Sequence, residues 1–201
     1  MLIYRQNIYE DGSLFFLSNI TDGLLGFSIN RKKHQQGING ICLEYINTTN
    51  QGGEGGSENT IPQLRGKDNY FNNTLYTDAW TYNNNIIGTA LITPLNILNN
   101  NLIMKYNYLN FPTSYIVNNR VKGFNISLFM KVQNFDFTTK LIWTRNLGLY
   151  NSLFKAKQFS FLQKIQYKFA KYIISSNLAI DNGELYNNSV SCYLNIQRTF
   201  F

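Results

Sequence analysis

The chain is poor in the residues that staple, break or charge a fold. Its 201 residues hold two cysteines, three prolines and one histidine. Two cysteines exclude a disulfide-dense scaffold. Three prolines with 14 glycines exclude a collagen-like or Pro-rich linker protein. The single His34 sits in the basic turn Arg31-Lys32-Lys33-His34-Gln35-Gln36-Gly37 and reads as solvated, so any histidine-based triad would have to pass through a surface turn. No metal-ligand spacing occurs, and no cofactor is implied. Charged residues make up 14%, against about 25% in ordinary soluble domains. Long apolar runs are also missing: Ile86 to Met104 is broken by Thr, Pro94 and several Asn, short of the roughly 20 apolar residues of a spanning helix. Met1 to Asn7 does not read as a secretory signal.

What is present in excess is aromatic surface and positive charge. Phe, Tyr and Trp reach 15%, with 15 Phe and 14 Tyr, and 18 basic residues against 11 acidic ones give a net charge of +7. That balance suits an anionic partner. No phosphate-binding glycine loop, aromatic RNA-binding pattern or helix-turn-helix accompanies it, so nucleic acid is not expected. Runs such as Asn83-Asn84-Asn85 and Asn99-Asn100-Asn101 read first as compositional bias.

The organising signal begins at residue 121. Phe124, Ile126, Leu128, Met130 and Val132 fall on alternate positions, and after Gln133-Asn134 the alternation resumes as Phe135, Phe137, Thr139, Leu141 and Trp143. A two-residue turn there pairs Val132 with Phe135 and Phe124 with Trp143, so that apolar meets apolar throughout. Phe159, Phe161, Ile165, Tyr167 and Phe169 repeat the arrangement about a turn at Ala170-Lys171, leaving Gln163 opposite Leu178 and Ser176 opposite Ile165 as imperfections. A last strand carries Val190, Cys192, Leu194, Ile196 and Phe200, with Arg198 the exception. Lys122, Lys131, Lys140, Lys164 and Lys168 are assigned to the opposite, wet face, where Asp136 can pair with Lys131. Cys42 and Cys192 are assigned to opposite faces, which argues against a disulfide between them.

Connections are expected to alternate between two-residue turns, near 133 and 170, and longer loops at 148–157 and 181–189. Long strands, short turns at one end, long loops at the other and aromatics gathered at both strand ends describe an outer-membrane β-barrel. The expected fold is therefore all-β: an antiparallel transmembrane barrel, or the carboxyl-terminal portion of a larger one, forming one domain over residues 1–201. A soluble all-β carbohydrate-binding module, whose apolar face packs on a second sheet, and a porin or transporter fragment are the alternatives. In the first half, weaker strands are expected at Leu2–Ile8, Leu14–Ile20, Leu25–Ile29 and Ile41–Tyr45. Residues 49–120 read as a long extracellular loop region, with Leu102–Leu109 as an optional strand.

Arg65-Gly66-Lys67-Asp68-Asn69-Tyr70-Phe71-Asn72-Asn73, Ala79-Trp80-Thr81-Tyr82, Ile87-Gly88-Thr89-Ala90-Leu91-Ile92-Thr93-Pro94 and Asn118-Asn119-Arg120-Val121 resemble the Bacteroidetes branch of the Wzi capsule-assembly family. Asp22-Gly23-Leu24-Leu25-Gly26 and Glu44-Tyr45 through Gln51-Gly52 support the match. Family members are about twice as long, so the chain corresponds to their carboxyl-terminal part. The resemblance implies a non-catalytic protein of the bacterial outer membrane that binds capsular or related surface polysaccharide and assists capsule assembly. Its partners would be that glycan, outer-membrane lipid and the barrel-insertion machinery.

Within the loop region, Asp68, Asn69, Tyr70, Asn72, Asn73, Trp80 and Tyr82 carry the chemistry a sugar site needs: carboxylate and amide groups for hydroxyls, and aromatic faces for the apolar side of a pyranose. Glu54, Glu58, Asp68 and Asp78 offer carboxylates for glycosidic cleavage, but an acidic loop does not set the required separation, and no enzymatic activity is expected.

Overall fold

The computed structural model describes residues 1–8, 12–33, 35–53, 66–72, 80–83, 85–106, 115–150 and 152–198. His34, Glu54, Glu58, Asn73, Asp78 and Phe200 lie outside them.

One antiparallel sheet of eight strands dominates the molecule. It comprises β1 (Leu2–Gln6), β2 (Gly23–Asn30), β3 (Gly37–Asn47), β8 (Val121–Val132), β9 (Phe135–Leu149), β10 (Ser152–Phe169), β11 (Tyr172–Gly183) and β12 (Ser189–Arg198), in that spatial order. Among the described residues between β3 and β8 the elements are small: β4 (Thr81–Tyr82), β5 (Asn85–Ile86), β6 (Thr93–Pro94), a 3-10 turn (Leu95–Ile97), the helix α2 (Asn100–Tyr106) and β7 (Ile116–Asn118). A one-turn helix, α1 (Gly12–Phe15), follows β1.

The sheet registers are those the alternation predicts. Val132 faces Phe135, Met130 faces Phe137 and Phe124 faces Trp143 across β8 and β9. Across β10 and β11, Phe169 faces Tyr172, Tyr167 faces Ile174 and Phe161 faces Ile180. The tight turns use non-glycine residues of positive φ, Gln133 at 53° and Ala170 at 49°. Cys42 faces Ser28 and Ser127 on the polar side, whereas Cys192 faces Leu178 on the apolar side. Asp136 takes Lys168, at 3.1 Å, rather than Lys131.

Several expectations require correction. The ten-residue loop expected at 148–157 is mostly sheet: β9 and β10 run 15 and 18 residues and meet across Tyr150 and Asn151. Leu153, Lys155 and Lys157 alternate with buried Phe154 and Ala156, so strand periodicity continues through that segment. Leu14–Ile20 forms helix and turn, held by Leu17 N–H on Leu14 O and Ser18 N–H on Ser13 O. Of the optional strand, Leu102–Tyr106 is helical instead of extended, because Asn99 caps the turn by accepting from Asn101 N–H at 2.9 Å. Lys122 faces Arg145, which faces Lys157, and this row continues the Phe124 side of the sheet instead of the wet side.

The two faces differ in an unusual sense. On the polar side Asn146 and Gln158 are buried, at 0% and 3% exposure, while on the apolar side Phe124 and Trp143 are 53% and 44% exposed. The inner polar face gains its cover from the loop region. Leu98, Leu102 and Val117 pack on Phe154, Ala156 and Leu185, and Ile92 and Ile116 pack on Val121. The small apolar core thus lies between the loop region and one end of the polar face. Among the described residues, β1 and β12 are the two edges of the sheet and do not pair with each other.

Candidate ligand-binding site at the loop end

The polar residues singled out from the sequence are brought together, but inside a brace that ties the loop region to the sheet. Asp68 accepts from Ser13 Oγ at 2.7 Å and from Asn19 Nδ2 at 3.2 Å. The Tyr70 hydroxyl donates to Asp22 Oδ2 at 3.0 Å and accepts from Asn19 Nδ2 at 3.0 Å. Asp22 in turn accepts the backbone N–H groups of Asn50 and Gln51 at 3.0 and 2.7 Å. Burial, reinforced by the neighbouring Asp22 carboxylate, holds the Tyr70 phenol well above its ordinary pKa. Asn69 accepts from Asn119 Nδ2 at 2.7 Å, and Asn72 donates to Asn69 at 3.2 Å and to Ile116 O at 3.4 Å. Buried polar groups left unpaired are costly, and here the mutual pairing covers most of them, with only Asn19 Oδ1 and Asn72 Oδ1 unpartnered among the described residues, while Phe71 packs against Ile92, Ile116 and Val121. The repeated Asn has a structural use here beyond composition.

Trp80 and Tyr82 are elsewhere. They lie on the β4–β5 hairpin, 63% and 77% exposed. The hairpin is anchored by Trp80 N–H on Phe71 O at 3.3 Å and Ile87 N–H on Trp80 O at 2.8 Å. The structure therefore divides the predicted cluster. Asp68, Tyr70 and Asn72 are buried bracing, Asn69 is half-buried, and the two aromatic faces stand in solvent.

A cavity missed in the sequence lies between the 90–97 segment and the polar wall of β9, β10 and β11. It has a volume of about 290 Å³ and takes Thr144, Asn146, Gln158, Ser160 and Asp181 from the sheet, with Tyr186 over them. Ser160 donates to Asp181, and Tyr186 N–H donates to Gln158 Oε1 at 3.3 Å. The Tyr186 hydroxyl donates to Ala90 O at 3.3 Å and lies 3.4 Å from the Thr93 hydroxyl. Burial raises the Tyr186 phenol pKa, against the opposing effect of Thr93. These polar groups form one wall, and Leu91, Ile97, Ile142 and Leu185 make the rest of the lining apolar. Asp181 is the single carboxylate of this lining, so the pair that glycosidic cleavage uses is not assembled from these residues. Among the described residues no group of three His, Cys, Asp or Glu could hold a metal ion. The sequence signal for the cavity is the polar phase of the strands, Thr144-Asn146 and Gln158-Ser160, which reading 148–157 as a loop cuts short.

Comparison with protein-family models, curated proteins and solved structures returned no match.

Proposed function

We propose that this chain forms part of an outer-membrane β-barrel whose loop end binds surface polysaccharide without chemically altering it. The observation that carries the reading is the inversion of the sheet: buried Asn146 and Gln158 on one side, exposed Phe124 and Trp143 on the other. In water, an apolar face spanning eight strands is a liability. In hydrocarbon it is the required surface.

Details of that face support the reading. Tyr45, Phe124, Trp143 and Phe159 are consecutive register partners near the loop end, and Phe135, Tyr167, Phe169 and Tyr172 gather near the tight turns. From Trp143 to Phe135 the strand spans about 27 Å at roughly 3.4 Å per residue. A barrel tilt of about 40° makes that about 20 Å along the membrane normal, within the roughly 25 Å apolar band of such barrels. The polar intrusion midway is self-contained, since Thr139 Oγ1 donates to Gln163 Oε1 at 2.7 Å. The sheet edges at β1 and β12 would pair with further strands, as each unpaired backbone group in lipid costs several kcal/mol.

For the glycan, support comes from the exposed Trp80 and Tyr82 faces on the hairpin of the loop region. The Wzi-like motifs agree with that use, and capsule attachment, outer-membrane lipid and the insertion machinery follow as proposed partners. The test combines two measurements. Heat-modifiable migration on cold detergent gels is expected of the folded protein, and migration unchanged by boiling counts against the barrel. Glycan-array binding should be lost in Trp80→Ala/Tyr82→Ala, and binding that persists counts against the hairpin.

A further inference from the structure

The outer face carries a feature that polysaccharide binding does not use. Lys122, Arg145 and Lys157 are register partners on three adjacent strands, one row beyond the aromatic row of Phe124, Trp143 and Phe159. All three are exposed, and none has a carboxylate within ion-pair distance among the described residues. The Glu184 carboxylate accepts from the Lys157 backbone N–H at 3.0 Å, not from its ammonium. Neighbouring strands lie about 4.8 Å apart, so the row concentrates three positive charges over about 10 Å. Like charges set this close repel one another, and Lys122 and Arg145 in particular face open space that an anion can enter.

Directly below the row is an open groove of about 460 Å³. Leu25, Tyr45, Phe124 and Trp143 form its floor, with Lys122 and Arg145 at its rim. Tyr45 and Phe124 stack at 4.9 Å between ring centroids. An apolar trough ending in cations matches one chemistry: an acyl chain joined to an anionic phosphate headgroup. A soluble anion would use the rim and leave the trough empty; a glycan would find few hydrogen-bonding groups on the floor.

We propose that this groove is a binding site for a membrane lipid with a net-negative phosphate headgroup, its phosphate held by Lys122, Arg145 and Lys157 and its chain lying over Phe124 and Trp143. The site rests on the outer-membrane reading, since only then does the face meet lipid. It places the loop-end headgroup plane at the basic row and gives the protein a preference among lipids, not merely a hydrophobic exterior.

Quenching of Trp143 by brominated lipid tests this on the full chain refolded in neutral detergent, with Trp80→Phe removing the second indole. Brominated phosphatidylglycerol should half-quench Trp143 at a concentration about tenfold or more below that of brominated phosphatidylcholine. Lys122→Gln/Arg145→Gln/Lys157→Gln should erase the difference. Lys140→Gln/Lys164→Gln, which removes charge from the opposite face, should retain it and so controls for folding. Equal quenching by both lipids in the parent chain overturns the headgroup site while leaving the lipid-facing sheet intact. Absence of quenching by either lipid overturns both.

Discussion

The Tyr70 hydroxyl donates to Asp22 Oδ2 at 3.0 Å, joining residues 48 positions apart and closing the loop region onto the start of β2. Because Asp22 also receives the Asn50 and Gln51 backbone N–H groups, one carboxylate fixes three separate stretches of chain.

This bond should make the brace alkali-sensitive. The folded Tyr70 pKa is raised above the unfolded value of about 10, so its contribution is whole below pH 10. Above that, the unfolded chain gives up its proton and the folded one does not, and stability falls by about 1.4 kcal/mol per pH unit. Tyr70→Phe should remove this alkaline step and cost about 1–3 kcal/mol at neutral pH by leaving Asp22 short of a donor. Denaturant unfolding at pH 8 and pH 11 checks both, and an unchanged alkaline slope in the variant defeats the assignment.

Asn119 is the second node. Its Nδ2 donates to Asn69 Oδ1 at 2.7 Å and Tyr70 O at 3.0 Å, while its Oδ1 accepts from Gln51 Nε2 at 3.0 Å. Asn119→Leu strands those partners in a buried site, at a cost of about 3 kcal/mol or more. Amides in residues 66–72 should then exchange faster, with β10 and β11 unaffected. Uniform acceleration across the sheet would contradict a local brace.

Gly148 has φ +76°, and a Cβ there would collide with the Ser152 carbonyl. Its own carbonyl accepts from Asn119 and Arg120 N–H at 3.3 and 3.1 Å. Gly148→Ala should therefore destabilise by about 1–3 kcal/mol through strain at the β9–β10 connection. Chemical denaturation measures it, and a neutral outcome would mean the turn can relax.

The two thiols report on the faces. Cys192 is exposed on the apolar side of β12, and Cys42 sits on the polar side facing Ser127. In vesicles a charged maleimide should label Cys192 far more slowly than it does in denaturant, whereas a bilayer-soluble maleimide reacts readily. Equal labelling of Cys192 by both reagents places that face in water.

Legibility in the sequence follows periodicity. The β8–β11 registers are readable because every second residue is apolar and a slip by one exposes the mismatch at once, as with Phe124 and Trp143. The β9–β10 connection is not, because Lys155 and Lys157 share a strand phase with Phe159 but break its apolar character at the sheet's end. The loop region stays hidden for a different reason: Asp22, Gln51, Tyr70 and Asn119 cohere through hydrogen bonds between distant positions, which leave no repeat in the chain. The candidate site is half visible. Trp80 and Tyr82 stand exposed as a sugar platform would require, whereas Asp68 and Tyr70 resemble ligand-binding groups in type and serve as internal fastenings in place.

The Thr139–Gln163 bond has a consequence for how the strands find their alignment. A two-residue slide of β9 against β10 would keep every apolar side chain on its proper side and would pass unnoticed by the hydrophobic pattern alone. It would also separate this hydroxyl and amide within the apolar face of the sheet. The pair therefore acts as a notch within the apolar face, as the Asp136–Lys168 ion pair does at the turn end of the same two strands: polar contacts discriminate between alignments that oil cannot tell apart.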